Sequence, residues 1–484
     1  MRLIRYFYGL LLAVAYYLCC TQWLSYVIYF YAGHSTFRYG KAYFDECVHL
    51  NGLTAYIDNW LTAMLARPSV GVTIVALLCA SVYYLTDGII RRISRRPDIA
   101  ALSVAASIAT FTASVTRTQS SPTAAWLVPL CLAVVLLAVM AVNAFLHRGP
   151  VKPIRFLRGH DGLIWLVAAL IWSGVGYYRI FNSIDLSERA MVLTEKALRE
   201  GNYNEVIERT DRYLGSGHSN RLMSLFRNYV LAQRGRLADG LLDYPMHFGL
   251  GGLAFPWNTN SLGCEYGALP YEATGHINEA LHWENEALVV WGPTPRHLTS
   301  LARYNIAMGR PDAARRYIRL LERVPFHEEE ARMLAREVND PAATGLRYSL
   351  RDYDPAPAEW SNVTNIVHDL ECVCAVDSTN TIAQQYLLCG LLLGNNVSRF
   401  AELLPAYAPA GPLPRLYQEA LLLNELRDDI KRDPDPRVSN DTRARFHRFV
   451  KLSETGNDIA LRSEFLNSYW YYVTYVSPHG RKAR

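Results

Sequence analysis

Acidic residues are scarce at the start of this chain. Its first 180 residues hold 6 Asp and Glu against 15 Lys and Arg. From Phe181 onward the balance reverses, with 38 acids to 34 bases. The formal net charge of +5 therefore belongs to the apolar half, and no basic face remains for nucleic acid. Catalytic signatures are missing too. There is no H-E-x-x-H, no G-x-S-x-G and no G-x-x-x-x-G-K-[ST], so nothing points to a zincin, an α/β-hydrolase or a P-loop enzyme. No C-x-x-C occurs, and Cys372 and Cys374 stand too close for an easy mutual disulfide or a metal knuckle. No motif calls for a cofactor or a metal. Strand-like alternation of apolar and polar residues is almost absent, which leaves an all-α fold.

What the first part does have is long apolar runs. Five stretches read as membrane spans, at 6–31, 70–90, 99–115, 124–146 and 163–181. A span needs about 20 mainly apolar residues, and 99–115 is the short one, rich in Ala, Ser and Thr that suit close packing. The first run is too long for a cleaved signal peptide and no cleavage site follows it. Charge orients the bundle. With the N-terminus in the cytoplasm, the inner segments carry Arg2, Arg5, Arg91, Arg92 and Arg95, and also Arg96, Arg148, Lys152, Arg155 and Arg158. The outer loops carry Arg38, Lys41, Arg67 and Arg117. Lys and Arg favour the cytoplasmic side, so five crossings with the C-terminal part outside is the expected topology. Cys47, Cys264, Cys372, Cys374 and Cys389 would then face an oxidising compartment, and an odd count leaves at least one free or paired with another chain.

Beyond residue 181 the helical period dominates. Gly201 and Gly235 are 34 residues apart, as are Gly275 and Gly309. Each glycine closes one helical pattern and opens the next. Small or apolar residues follow five positions later, at Val206, Gly240, Ala280 and Ala314. A 34-residue helix–turn–helix period is the tetratricopeptide signature, and such arrays bury a core by stacking while leaving a concave face for a partner. The expected organisation is a transmembrane domain over 1–181, tetratricopeptide-like repeats over 182–340 with an insert at 244–270, and degenerate repeats with a terminal cap over 341–484.

Three segments carry a resemblance: FDECVHLNGLTAYIDNWLTAML in the first outer loop, RGRLADGLLDYP in the second repeat, and GHINEALHWENEALVVWGPTPRHLTSLARYNIAMGRPDAARRYI. Together they resemble a family of uncharacterised multi-pass membrane proteins of Gram-negative bacteria with a tetratricopeptide-like C-terminal region. The resemblance implies an inner-membrane location and a periplasmic domain. It implies no activity and supplies no catalytic residues. One departure is His49-Leu50-Asn51-Gly52, where a Pro-Gly-Gly-like turn is expected.

Two places could carry function. Asp45 and Glu46, beside Cys47 and His49, resemble the outer-loop carboxylates of membrane glycosyltransferases that use lipid-linked sugar donors; the plainer alternative is a short interfacial helix. The insert 244–270 offers Phe255, Trp257, Asn258, Asn260 and Tyr266. Aromatics beside amides suit a sugar or peptide, and the alternative is a plug that seals two repeat pairs. His276 and His282 lie six apart, off a shared helical face, which disfavours zinc; His327 with its three glutamates reads as a solvated helix start. Asn362, Asn396 and Asn440 begin N-glycosylation tripeptides, which mean little if the host is bacterial as the resemblance implies, and Asp377-Ser378-Thr379 resembles a periplasmic O-glycosylation acceptor. The leading expectation is a membrane-anchored scaffold binding a periplasmic protein or envelope glycan, with the lipid bilayer as its other partner. The alternative is a glycosyltransferase-like enzyme using Asp45 or Glu46.

Overall fold

The computed structural model describes residues 2–118, 120–146, 161–349, 366–408, 411–426 and 434–478. Arg148, Lys152, Arg155 and Arg158 of the inner basic cluster lie outside them, as does 350–365 with Pro355, Pro357 and Asn362. The described residues are helical or irregular, with no strand among them. Contacts divide the chain into two units. One is Met1–Leu193 with Pro293–Leu298 and Ile318–Met333; the other is Thr194–Gly292, Thr299–Tyr317 and Leu334–Arg484.

The first unit contains α1 (Arg2–Leu18), α2 (Ser25–His34), α3 (Lys41–Met64), α4 (Pro68–Ser94), α5 (Leu102–Ser114), α6 (Thr123–Phe145) and α7 (Asp161–Ser183). Three helices, α4, α6 and α7, are long and apolar enough to cross a membrane alone. A fourth candidate is α1 with α2, bent by 79° at Leu24 after a π turn over Cys19–Trp23. The five spans expected from sequence are therefore not met by length. The 99–115 stretch forms only 13 helical residues, about 20 Å of rise against a hydrocarbon core of about 30 Å.

Side-chain ties define two ends of this bundle. At one end Arg5 donates to the Asp98 carbonyl and lies 4.8 Å over the Trp165 ring, while Tyr83 Oη donates to the Arg5 carbonyl at 2.9 Å. At the other, Tyr31 Oη donates to Arg117 O at 2.8 Å, Trp126 Nε1 donates to Asp58 Oδ1 at 2.7 Å, and Thr118 donates to Glu188. The first set joins the starts of α1, α5 and α7 to the end of α4. The second joins the end of α2 and Glu188 to the loop after α5, and α3 to the start of α6. Between the ends, Tyr16 Oη pairs with Ser107 Oγ at 2.9 Å, and Ser107 donates to Cys79 O at 2.8 Å. Small and hydroxyl residues let α5 sit buried against α1 and α4.

The second unit is built on one repeated turn. It begins within α8 (Leu186–Arg199), followed by α9 (Tyr203–Gly215), α10 (Arg221–Gln233), α11 (Leu237–Gly240), α12 (Ser261–Tyr266), α13 (Ala268–Ala273) and α14 (Ile277–Trp291). Then come α15 (Pro295–Ala307), α16 (Pro311–Leu321) and α17 (Glu328–Glu337), each only partly in this unit, and α18 (Ile366–Val376), α19 (Thr381–Leu393), α20 (Val397–Tyr407) and α21 (Arg415–Glu425). The last are α22 (Asn440–Glu454), α23 (Asp458–Phe465) and α24 (Tyr469–Tyr471).

Gly201, Gly235, Gly275 and Gly309 have φ of 71°, 70°, 74° and 69°. Left-handed backbone is where glycine costs least, and it ends a helix by turning the chain back on its last carbonyls. Accordingly Asn202 N donates to Ala197 O, and the next residue does the same at Arg236, His276 and Arg310. The motif recurs at Asn395 (φ 57°) and Gly456 (φ 64°), with Asn396 N on Leu391 O and Asn457 N on Leu452 O. The side chains of Asn202, His276, Asn396 and Asn457 then cap the following helix. Five residues after each left-handed position the side chain is buried: Val206, Ala280, Ala314, Phe400 and Leu461, with Gly240 in the second place.

All nine cysteines are free thiols. Burial pushes the Cys389 thiol up to about 12, which suits a packing role rather than a reactive one.

The C-terminal segment docks on Glu419, which is nearly inaccessible. Tyr469 N donates to its Oε2 at 2.7 Å, and Arg415 Nε lies 3.4 Å from its Oε1. Burial pushes this carboxyl from its ordinary 4.5 up to about 7, against the opposing pull of the Tyr469 amide, Arg415 and Arg445. A folded pKa above the unfolded one means the folded state holds the extra proton. The stabilisation is complete below about 4.5 and is lost as pH rises through about 7. Melting of the detergent-solubilised protein should fall between pH 5 and pH 8, and Glu419→Gln should flatten that slope. An unchanged slope in the variant would show that the carboxyl is not the group responsible.

Candidate functional site

The insert folds onto α14. Asn260 Oδ1 accepts from Gly263 N at 3.1 Å and so starts α12; its amide is engaged in capping. Gly267 sits between α12 and α13, and a Cβ there would lie 2.0 Å from Trp283 Cε3. The missing side chain lets the buried Trp283 lie flat against the backbone. Trp257 stacks on Trp283 with centroids 4.9 Å apart and planes at 24°, and its centroid lies 4.2 Å from that of His282. Phe255 and Tyr266 face the core, where Tyr266 meets Phe226 edge-on at 5.2 Å. Asn258 is exposed. Of the five residues singled out in sequence, two therefore anchor the insert, one caps a helix, one is half-covered and one is free in solvent.

The exposed surface beside them was not legible as a site. Trp291 Nε1 donates to Ser261 O at 3.0 Å, tying the end of α14 to the start of α12. Around that bond stand Leu262, Val289 and Val290, the last two 82% and 47% exposed. His282 is also open, with Nδ1 3.6 Å from Glu279 Oε2 and Nε2 3.8 Å from Glu286 Oε1. The available signal was on the helical wheel. Ile277, Ala280, Glu284 and Ala287 form the buried seam of α14, and two adjacent valines at its end cannot both belong to that seam. Leu262, Val289 and Val290 thus leave aliphatic surface uncovered at this end of α14.

His276 is a cap, not a ligand. Its Nδ1 accepts from Glu279 N at 3.1 Å, and burial pulls its pKa down to about 4, so the ring is neutral. Among the described residues no group of three or more His, Cys, Asp or Glu is placed to hold a metal ion.

In the first unit, Asp45 and Glu46 lie on the exposed side of α3, with Cys47 buried behind them. Gly52 breaks this helix with φ 82° and ψ 169°, so the His49–Gly52 departure forms a kink of its own. Neither carboxylate is among the residues lining the cavity between α1 and α7. The carboxylate with a built environment is Asp58, which accepts from Ser121 Oγ at 2.9 Å, from Thr123 and from Trp126 Nε1. Those bonds close the loop before α6, a structural task.

No curated protein and no solved structure matches the chain. A family model does, over residues 1–178 and 114–476, and the two ranges together span both units. With that match, the chain belongs to the family of unknown function DUF6057.

Proposed function

We propose that the protein is an inner-membrane scaffold that presents a tetratricopeptide-like helical array to a protein partner in the periplasm. The observation that carries the reading is the exposed Leu262, Val289 and Val290 beside the half-buried Trp291 at the end of α14. Aliphatic side chains so exposed favour a protein partner over an envelope glycan, because they offer sugar hydroxyls no hydrogen bond. The repeated left-handed turn, with a buried residue five places on, supports the repeat assignment. The two bundle ends support five passes: α5 is short, yet its start is tied to Arg5 and the loop after it to Tyr31 and Glu188. Arg5, Arg91, Arg92, Arg95 and Arg96 belong to the first end, which is the cytoplasmic one by the charge rule. The glycosyltransferase alternative needs an enclosed site around Asp45 or Glu46, and both lie on the exposed side of α3.

The test is capture of partners by crosslinking in intact cells, with a C-terminal alkaline phosphatase fusion reporting topology. The fusion should be active. Val289→Glu with Val290→Glu should abolish the captured species, while Asp45→Asn with Glu46→Gln leaves it. An inactive fusion sinks the topology. Capture surviving the valine changes sinks the patch, and loss of the deletion phenotype's complementation by the carboxylate changes alone would favour an enzyme.

A further inference from the structure

The first unit contains a cavity of about 540 Å³ between α1 and α7, with Ile108 of α5 as part of its floor. Two local features open it. At one end, just after the π turn over Cys19–Trp23, the chain bends by 79° at Leu24. Gly176 lets α7 approach so closely that a Cβ there would lie 2.5 Å from Ile108 Cγ2. The walls are apolar and outward-facing, with Leu11 and Leu170 each more than half exposed. The hydroxyls on the floor are already engaged. Tyr8 Oη pairs with Ser173 Oγ at 2.8 Å, and Tyr16 Oη with Ser107 Oγ. The cavity therefore presents hydrocarbon to whatever fills it.

Its mouth is different. Gln22 lines the cavity from the π turn, is exposed, and has no hydrogen-bond partner among the described residues. Trp23 and Tyr177 stand beside it, edge to face at 5.6 Å, as an aromatic pair of the kind found at membrane interfaces. An exposed amide beside interfacial rings is free to donate to a lipid headgroup or ester carbonyl at that level. An apolar trough ending in an amide and two amphipathic rings suits a hydrocarbon chain ending in an ester.

We infer that this groove holds a diacyl phospholipid of the outer leaflet, one acyl chain lying along α1 and α7 and its ester carbonyl accepting from the Gln22 amide. The lipid completes the surface that the π turn leaves open. The inference rests on the reading that these helices span the bilayer. Two occupants compete with it, bulk lipid in passing and a helix of a second copy, and the experiment separates them.

The full-length protein is reconstituted in phosphatidylethanolamine–phosphatidylglycerol vesicles containing a trace of phosphatidylethanolamine with a diazirine on one acyl chain. It is diluted into unlabelled vesicles, irradiated at intervals, and mapped by peptide mass. Adducts on α1 and α7 near Ala15 and Leu170 should outlast those on the outward face of α6 near Val134 and Leu137. Gln22→Leu, which leaves the groove open, should shorten that retention about fivefold through loss of one hydrogen bond. Ala15→Trp, which fills the groove, should lower the long-lived adducts about tenfold or more. Retention equal to that on α6, or untouched by Gln22→Leu, overturns the inference. Groove positions left unlabelled while α6 labels, as when a helix of a second copy fills the groove, overturn it too. Absence of adducts on α6 as well would sink the membrane-spanning reading itself, and the inference with it.

Discussion

Trp470→Ala should destabilise the second unit by about 3–5 kcal/mol, the range for deleting a large buried aromatic. Trp470 is almost wholly buried and meets Phe446 at 5.0 Å, Phe449 at 5.9 Å and Phe465 at 6.4 Å. It thus joins α22 and α23 to α24. Its Nε1 also donates to Glu419 O at 3.0 Å, and the neighbouring Tyr469 Oη and Tyr472 Oη donate to Leu392 O and Leu393 O. The C-terminal segment is therefore sewn to α19 and α21 by polar bonds as well as by packing. Removing the indole opens a cavity and strips a partner from a buried carbonyl, two costs that add. The measurement is thermal unfolding of the detergent-solubilised full chain by circular dichroism, with limited proteolysis locating the released segment. A melting curve indistinguishable from wild type would show that the end of the chain is an appendage rather than part of the core.

The reach of the sequence can be judged at particular residues. Gly201, Gly235, Gly275 and Gly309 announced their turns because a glycine at the end of a helical pattern has few other reasons to be there. Asn395 makes the same turn and gave no such signal, since asparagine is common in caps and loops and enters the left-handed region only in some of them. Gly456 was hidden by irregular spacing, which removes the period that makes a glycine conspicuous. In the membrane part, overall apolarity marked the helices but not the bend at Leu24. No proline or glycine lies there, and a hydrophobic run reads the same whether straight or broken. The insert showed its aromatics but not their direction. Phe255, Trp257 and Tyr266 are alike in composition, and only the position of Trp283, 26 residues beyond Trp257, decides which ring is covered. The valines of α14 carry no signal for the converse reason. Apolar residues at a helix end are expected to be buried, and only the packed seam shows that these are not.

Gly267→Ala should be among the most damaging single-methyl changes in the chain. The new Cβ would stand 2.0 Å from Trp283 Cε3 and 2.4 Å from its Cδ2. A flexible side chain could swing aside, but this ring is buried and stacked under Trp257, so neither neighbour can yield alone. Overpacking of this kind typically costs about 1–3 kcal/mol, and here the strain falls on the junction of α12 and α13 that sets the insert against α14. The useful contrast is Gly309→Ala. Gly309 has φ 69° and nothing within 4 Å of the methyl that alanine would add, so its change carries only the backbone cost of about 1–2 kcal/mol. Both variants should melt earlier, but for different reasons and with different local signs. In Gly267→Ala the Trp257–Trp283 stack should part, raising acrylamide quenching of tryptophan fluorescence before any global unfolding. In Gly309→Ala quenching should match wild type up to the transition. Partner capture should weaken in the first variant, because the patch around Trp291 is held by the same packing, and persist in the second. Equal quenching in the two variants would mean that Trp283 has room the structure does not give it, and the insert would then be a loose loop rather than a surface held in place by α14.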